Sequence, residues 1–247
     1  MTIPSPPVQA HYDELLADRY TWMMGGPAAC QSNARALLDA AHIQAEPGDV
    51  ALDLGAGAGF HARALAERGF EVVAVDTNEA LLRELGGVCA GFGVAPLQCS
   101  LLDEHSFRAR SPFALILCVG DTLTHLATDE DVSRLIDMSA SLLAPGGALL
   151  LHFREQPVEL HPRDCAFVTR SERDRVMECV LHFEPERVWV TDVVHEWTGQ
   201  MWRTLRSTYP KLRISADTII KDAKSAGLQL QLDESHARQR LLVFRHA

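Results

Sequence analysis

A chain of 247 residues with 47% hydrophobic content is long enough to bury a large core. Its 33 acidic against 23 basic side chains give a formal net charge of −10, and no Lys/Arg cluster offsets it locally, so nucleic acid and membrane surfaces are disfavoured and a small-molecule partner is expected. The opening MTIPSPPVQA has neither a basic nor an apolar signal region, and no run of about 20 apolar residues follows, which predicts a cytoplasmic protein.

Residues 1–45 read as a helical cap ahead of the first strand. Within it, HYDELLADRYTWMMGG (11–26) carries Tyr12, Tyr20, Trp22 and Met23, and Tyr12, Leu15 and Leu16 are spaced for core contact along a helix. Then DVALDL (49–54) is a continuous apolar strand, FHARALAERG (60–69) a helix, EVVAVD (71–76) a strand, EALLRELGG (79–87) a helix, and APLQCS (95–100) and FALILCV (113–119) two more strands. Such a βαβαβ series predicts a parallel sheet wrapped by helices. Thr128 and Asp131 start a helix over DEDVSRLIDMSASLL (129–143), and ALLLHF (148–153) supplies a fifth strand. The rhythm changes to alternation over about 157–212, where RVMECVLHF, a turn at EPER and VWVTDVVHEW predict an antiparallel insertion. Ser215 caps a further helix ending at Gly227, and LQLQLD (228–233) pairs with RLLVFRH (240–246) in antiparallel fashion at the sheet edge. Six scattered cysteines with no C-x-x-C spacing predict reduced thiols and no metal site. The whole chain, 1–247, is read as one domain.

The stretch ALDLGAGAGF (51–60) places glycines at every second position after the first strand. A bare turn between strand and helix brings backbone N–H groups and a helix N-terminus up to a ligand. The dinucleotide pattern G-x-G-x-x-G fails from Gly55 because Phe60 occupies its last place, although GAGFHA from Gly57 fits its looser form. Asp53, Gly55, Gly57 and Gly59 fit D-x-G-x-G-x-G without adjustment, and this resembles motif I of the class I S-adenosylmethionine-dependent methyltransferases. The resemblance implies a Rossmann-like seven-stranded sheet, mostly parallel with an antiparallel last strand, and S-adenosyl-L-methionine as cofactor, leaving S-adenosyl-L-homocysteine as product. It would place Asp53 near the amino group of the methionine moiety and Gly55, Ala56, Gly57 and Gly59 against its carboxylate and ribose. Asp76 and Thr77 would meet the ribose hydroxyls, Ser100 and Leu101 the adenine ring, and Cys118, Val119 and Gly120 the cofactor from the end of the fourth strand. Tyr20 would reach the methionine carboxylate from the cap.

The segment FALILCVGDTLTHL (113–126) resembles that of glycine N-methyltransferase and related small-molecule methyltransferases, with Asp121 in place of their Asn. By that resemblance Asp121 lines the acceptor, and Arg154, after the fifth strand, either pairs with a substrate carboxylate or serves as a structural ion-pair partner. His125 is the expected base for an ammonium or hydroxyl acceptor, since imidazole titrates near neutrality, or else a partly buried ring bonded to a carbonyl. The insertion is expected to wall the acceptor pocket through Trp189, His195, Trp197 or Trp202, with Trp197 preferred, or else to join two copies as a homodimer. The reaction expected is in-line methyl displacement onto a small molecule, amine favoured over hydroxyl. The alternatives are an NAD-dependent oxidoreductase and a noncatalytic S-adenosylmethionine-binding regulator.

Overall fold

The computed structural model describes residues 8–156 and 163–246; the first residues of the expected cap and of the expected insertion lie outside that range. Strands β1 (Val50–Leu54), β2 (Glu71–Asp76), β3 (Val94–Gln98), β4 (Phe113–Cys118) and β5 (Leu143–Arg154) run parallel in the order β3-β2-β1-β4-β5. The unbroken apolar runs of β1, β2 and β4 are explained by helices on both faces, which leave no side of these strands for water.

Helices α1 (Val8–His11) and α2 (Tyr20–Met23) belong to the N-terminal segment, whereas α3 (Pro27–Ala40), α4 (Phe60–Ala66) and α5 (Glu79–Val88) cover one face of the sheet. There Ala34, Leu38, Ala62, Leu65, Leu81 and Leu85 pack on Ala51, Ala74, Leu115 and Leu150. Helices α6 (Asp129–Leu142) and α7 (Ala216–Ser225) cover the other, where Leu135, Ile136, Ile219 and Ala223 meet Leu52, Ile116 and Leu149. The Thr128 and Ser215 side chains accept from the amides of Asp131 (3.1 Å) and Thr218 (3.2 Å), so both expected N-caps form.

The remaining strands are β6 (Cys165–Ser171), β7 (Arg175–Phe183), β8 (Arg187–Trp197), β9 (Trp202–Leu212), β10 (Leu228–His236) and β11 (Gln239–His246). Strand β11 is antiparallel to both β5 and β10 and slots between them, which completes the seven-stranded sheet with β10 at its edge. Strands β6 to β9 form a separate four-stranded antiparallel sheet in sequential order. Its alternation resolves into a covered face with Met177, Cys179, Val188, Val190 and Val194 and an open one with Val180 and Trp197.

The amphipathic helix expected over 11–26 is broken into short turns. Leu15, Leu16 and Ala17 are consecutive yet all buried, because the segment is packed from two sides: Leu15 and Leu16 meet Met177 and Val194 of the antiparallel sheet, while Ala17 joins the helical layer of the main sheet. A regular helix with one apolar stripe cannot bury three successive side chains against two surfaces. Arg19 clamps the arrangement by donating through Nε and Nη2 to both oxygens of Glu196, at 2.9 and 2.8 Å. Among the described residues no helix is long and apolar enough to cross a membrane.

Candidate functional site

A cavity of about 460 Å³ opens at the carboxyl ends of β1, β2 and β4, under the N-terminal segment and the β8–β9 hairpin. Gly55, Ala56, Gly57 and Gly59 line it, and the three glycines all adopt positive φ. A Cβ on Gly55 would run into the Thr122 side chain, whereas one on Gly57 would meet nothing within 4 Å and would stand in the cavity itself. The turn is braced from within. Gly55 and Ala56 donate to the Val75 carbonyl at 2.8 and 2.9 Å, Gly57 to Asp76 Oδ2 at 2.8 Å, and Gly59 to the Ala56 carbonyl at 3.0 Å. These four amides are already engaged, so what the bare turn offers a ligand is close approach more than donors. Gly57→Ala is therefore expected to cost about 1 kcal/mol of stability, the usual penalty of left-handed backbone. It should lower S-adenosylhomocysteine affinity more than tenfold, because the new methyl group occupies ligand space; melting and calorimetry check the two effects separately.

Asp53 ends β1 behind this turn, wholly buried, with neither carboxylate oxygen in a well-formed hydrogen bond among the described residues. Burial pushes its carboxyl up to about 7, with the Asp76 charge adding and the Ala62 amide opposing. It does not line the cavity directly, which fits contact through a bridging water. A buried carboxylate met by the Ala62 amide but by no cation, beside a bare glycine turn, fits a ligand with a cationic end, as S-adenosylmethionine has. Asp76 does line the cavity, and burial raises its carboxyl against the amides of Asn78, Gly57 and Thr77. It therefore pins the turn as well as facing the cavity. Asn78 next to it donates to Asp13 Oδ1 at 2.7 Å, tying the N-terminal segment to the end of β2.

Of the other expected cofactor residues, Tyr20, Thr77, Ser100, Leu101, Val119 and Gly120 line the cavity. Burial, with Asp121 adding, pushes the Tyr20 hydroxyl up to about 12 and so keeps it a neutral donor. Cys118 faces the core instead and does not reach the cavity. Sequence reasoning missed His61, whose position in the first turn of α4 just past Gly59 was a usable signal; burial pushes its pKa down to about 4, with His152 adding, so the ring is neutral. Arg187 and Pro210, from β8 and β9, also line the cavity, and nothing local in the sequence announces them.

His125 lies in the cavity wall on the short turn Thr122–His125, its ring 5.8 Å from that of Tyr12 and 5.7 Å from that of Tyr209. Its Nε2 has no hydrogen-bond partner among the described residues. Burial pushes the pKa down to about 3, with Lys211 adding and Asp121 opposing. That corrects the expectation of titration near neutrality: the ring is held neutral by low polarity and an adjacent ammonium. Asp121 Oδ2 accepts from Lys211 Nζ at 2.6 Å and Oδ1 from the Arg154 amide at 3.3 Å. Burial works against its ionisation, but Lys211, His125 and Arg154 together hold its carboxyl well below the usual range.

The three expected acceptor contacts, Asp121, Arg154 and Trp197, are absent from the cavity wall. Asp121 is turned to Lys211, and Arg154 meets it through the backbone amide and, at longer range, through its charge. Trp197 is 44% exposed at the far end of β8 beside Trp202, and Trp189 and His195 also lie outside the wall, because the covered face of the hairpin is the one carrying Val188, Val190 and Val194.

Residues 51–147 match the family described as Methyltransferase domain. Over 104 residues the chain is 29% identical to the glycine/sarcosine N-methyltransferase of Aphanothece halophytica, covering 42% of this chain and 39% of that enzyme. The match thus spans about two fifths of the curated relative's length. Among solved structures, the CcbJ methyltransferase of Streptomyces caelestis superposes with a TM-score of 0.74 at 20% identity, over 91% of this chain and 98% of that one. The sugar N-methyltransferase KedS8 of a Streptoalloteichus species gives 0.73 at 16% identity, over 100% and 98%. Both share the fold. With strand order, glycine turn, buried acid and matched segment in agreement, the dinucleotide reading gives way to a methyltransferase domain over residues 51–147, on a fold shared with solved S-adenosylmethionine-dependent methyltransferases.

Proposed function

We propose that the protein methylates a small-molecule amine, and the observation that carries this reading is the neutral, unpartnered Nε2 of His125 in the wall of the cofactor cavity. S-adenosylmethionine, when bound, supplies a methyl group already activated on a sulfonium, so in-line transfer needs alignment more than acid or base strength. A ring whose pKa lies near 3 is too weak to strip a proton from an ammonium. It can instead accept a hydrogen bond from a neutral amine N–H and so aim the nitrogen lone pair. Tyr12 and Tyr20 crowd the same space and exclude water, and their raised hydroxyl pKa values keep them uncharged beside a cationic donor. Two similar proteins bear N-methyltransferase names, in keeping with an amine. The N-terminal segment and the antiparallel sheet serve in this reading as the cover over both ligands.

The test is methyl transfer from S-adenosylmethionine to paired amine and hydroxyl panels, read as S-adenosylhomocysteine formed. His125→Ala should lower kcat/KM about 100-fold, the range for a positioned polar group, with cofactor affinity unchanged. The rate should rise with pH toward the acceptor's own pKa, with no inflection near 6.5. Transfer to hydroxyl acceptors alone would overturn the amine reading, and tight cofactor binding with no transfer to either panel would favour the regulator.

A further inference from the structure

Resting on the reading above, we propose that Arg187 anchors an oxyanion on the acceptor, so that the substrate is an amine carrying a carboxylate or a phosphate. Around the cavity, Asp76 is the only carboxylate among the described residues and Arg187 the only guanidinium or ammonium. The two stand at opposite functional ends. Asp76 closes β2, where the cofactor sits, whereas Arg187 opens β8 and donates through Nη2 to the Ala127 carbonyl at 2.9 Å, two residues beyond His125. Its cation is thus tied to the segment that follows His125 in the same cavity wall.

The charge there is uncommitted. Ala127 is a neutral acceptor that takes one of the five N–H donors of the guanidinium, and no carboxylate among the described residues pairs with Arg187. The other cations nearby are spoken for: Lys211 donates to Asp121 at 2.6 Å, and Arg154 lies outside the cavity wall. Pro210, which also comes from the β8–β9 hairpin, lines the same cavity and contributes no charge. A planar guanidinium held by one edge against a carbonyl, in an otherwise uncharged recess, suits two-point recognition of a carboxylate or phosphate. The proposal assigns the oxyanion-binding role considered for Arg154 to an arginine from the other sheet, which unlike Arg154 lines the cavity.

The experiment titrates β-alanine, O-phosphoethanolamine and ethanolamine calorimetrically into protein saturated with S-adenosylhomocysteine. Both oxyanion amines should bind in the millimolar range or tighter and ethanolamine at least tenfold more weakly; the tighter of the first two identifies the anion. Arg187→Gln should weaken the oxyanion amines tenfold or more without changing ethanolamine or S-adenosylhomocysteine affinity, and Arg187→Lys should recover part of the loss. Equal binding of all three amines, no binding of the oxyanion amines, or an Arg187→Gln protein that binds them as well as the parent overturns the proposal. If S-adenosylhomocysteine itself fails to bind the parent protein, the methyltransferase reading fails instead, and the two failures are distinct.

Discussion

Asp53→Asn is expected to raise the melting temperature of the cofactor-free protein at pH 8 while weakening S-adenosylhomocysteine binding about 10- to 100-fold. The carboxyl is pushed up to about 7 by burial and by Asp76, against about 3.9 in an unfolded chain. Between those values the folded state holds the proton more tightly than the unfolded state does, so stability falls as pH rises from about 4 through 7. Asparagine carries no charge and escapes that penalty. The variant and parent should melt together near pH 4, diverge with rising pH, and reach a constant gap above pH 8, each kcal/mol appearing as about 2–4 °C. Ligand binding reverses the sign, because the cationic amino end favours the ionised carboxylate. Parent affinity should therefore drop by up to about tenfold per pH unit below 7, with proton release on binding, and the asparagine variant should show neither effect. The loss expected from the missing charged hydrogen bond is about 1.5–3 kcal/mol. A parent affinity flat from pH 5 to 8 would rule out this role for Asp53.

Asp121→Ala should destabilise the protein by about 3 kcal/mol, because it strands the Lys211 ammonium, whose side chain is only 16% exposed, without its carboxylate. Lys211→Met combined with Asp121→Ala should recover most of that loss, since removing both charges leaves no buried ion. Denaturant unfolding of the four proteins in the cycle measures the coupling directly, and a double variant no more stable than Asp121→Ala would refute it. The native pair's contribution has a definite pH window. Asp121 titrates below the usual carboxylate range, so the stabilisation is complete above about pH 4 and fades as the pH drops further.

The parts legible in the sequence were those governed by local pattern. Runs such as VALDL and EVVAVD could only be strands buried on both faces, and the glycines at 55, 57 and 59 could only serve a turn with bare backbone. The acceptor end was not legible, because it is assembled across sheets. Arg187 lies 60 residues beyond Ala127, whose carbonyl it reaches, and both line the same cavity as His125. The alternation in β8 revealed two faces without saying which was covered, so Trp197 was favoured where Val188, Val190 and Val194 in fact point inward. The break in the helix over 11–26 has a related cause: periodicity registers one apolar stripe, and a segment squeezed between two surfaces has none.

The chain divides its labour between its two sheets. The cofactor end is built from β1, β2 and the turn they brace, whereas the proposed acceptor end draws Arg187 and Pro210 from a hairpin whose strand ladder belongs to the separate four-stranded sheet. On the proposed reading, changes at the cavity-facing positions 187 and 210 redraw acceptor choice while the donor half stays intact, provided that Lys211 keeps its pairing with Asp121 and Glu196 its pairing with Arg19.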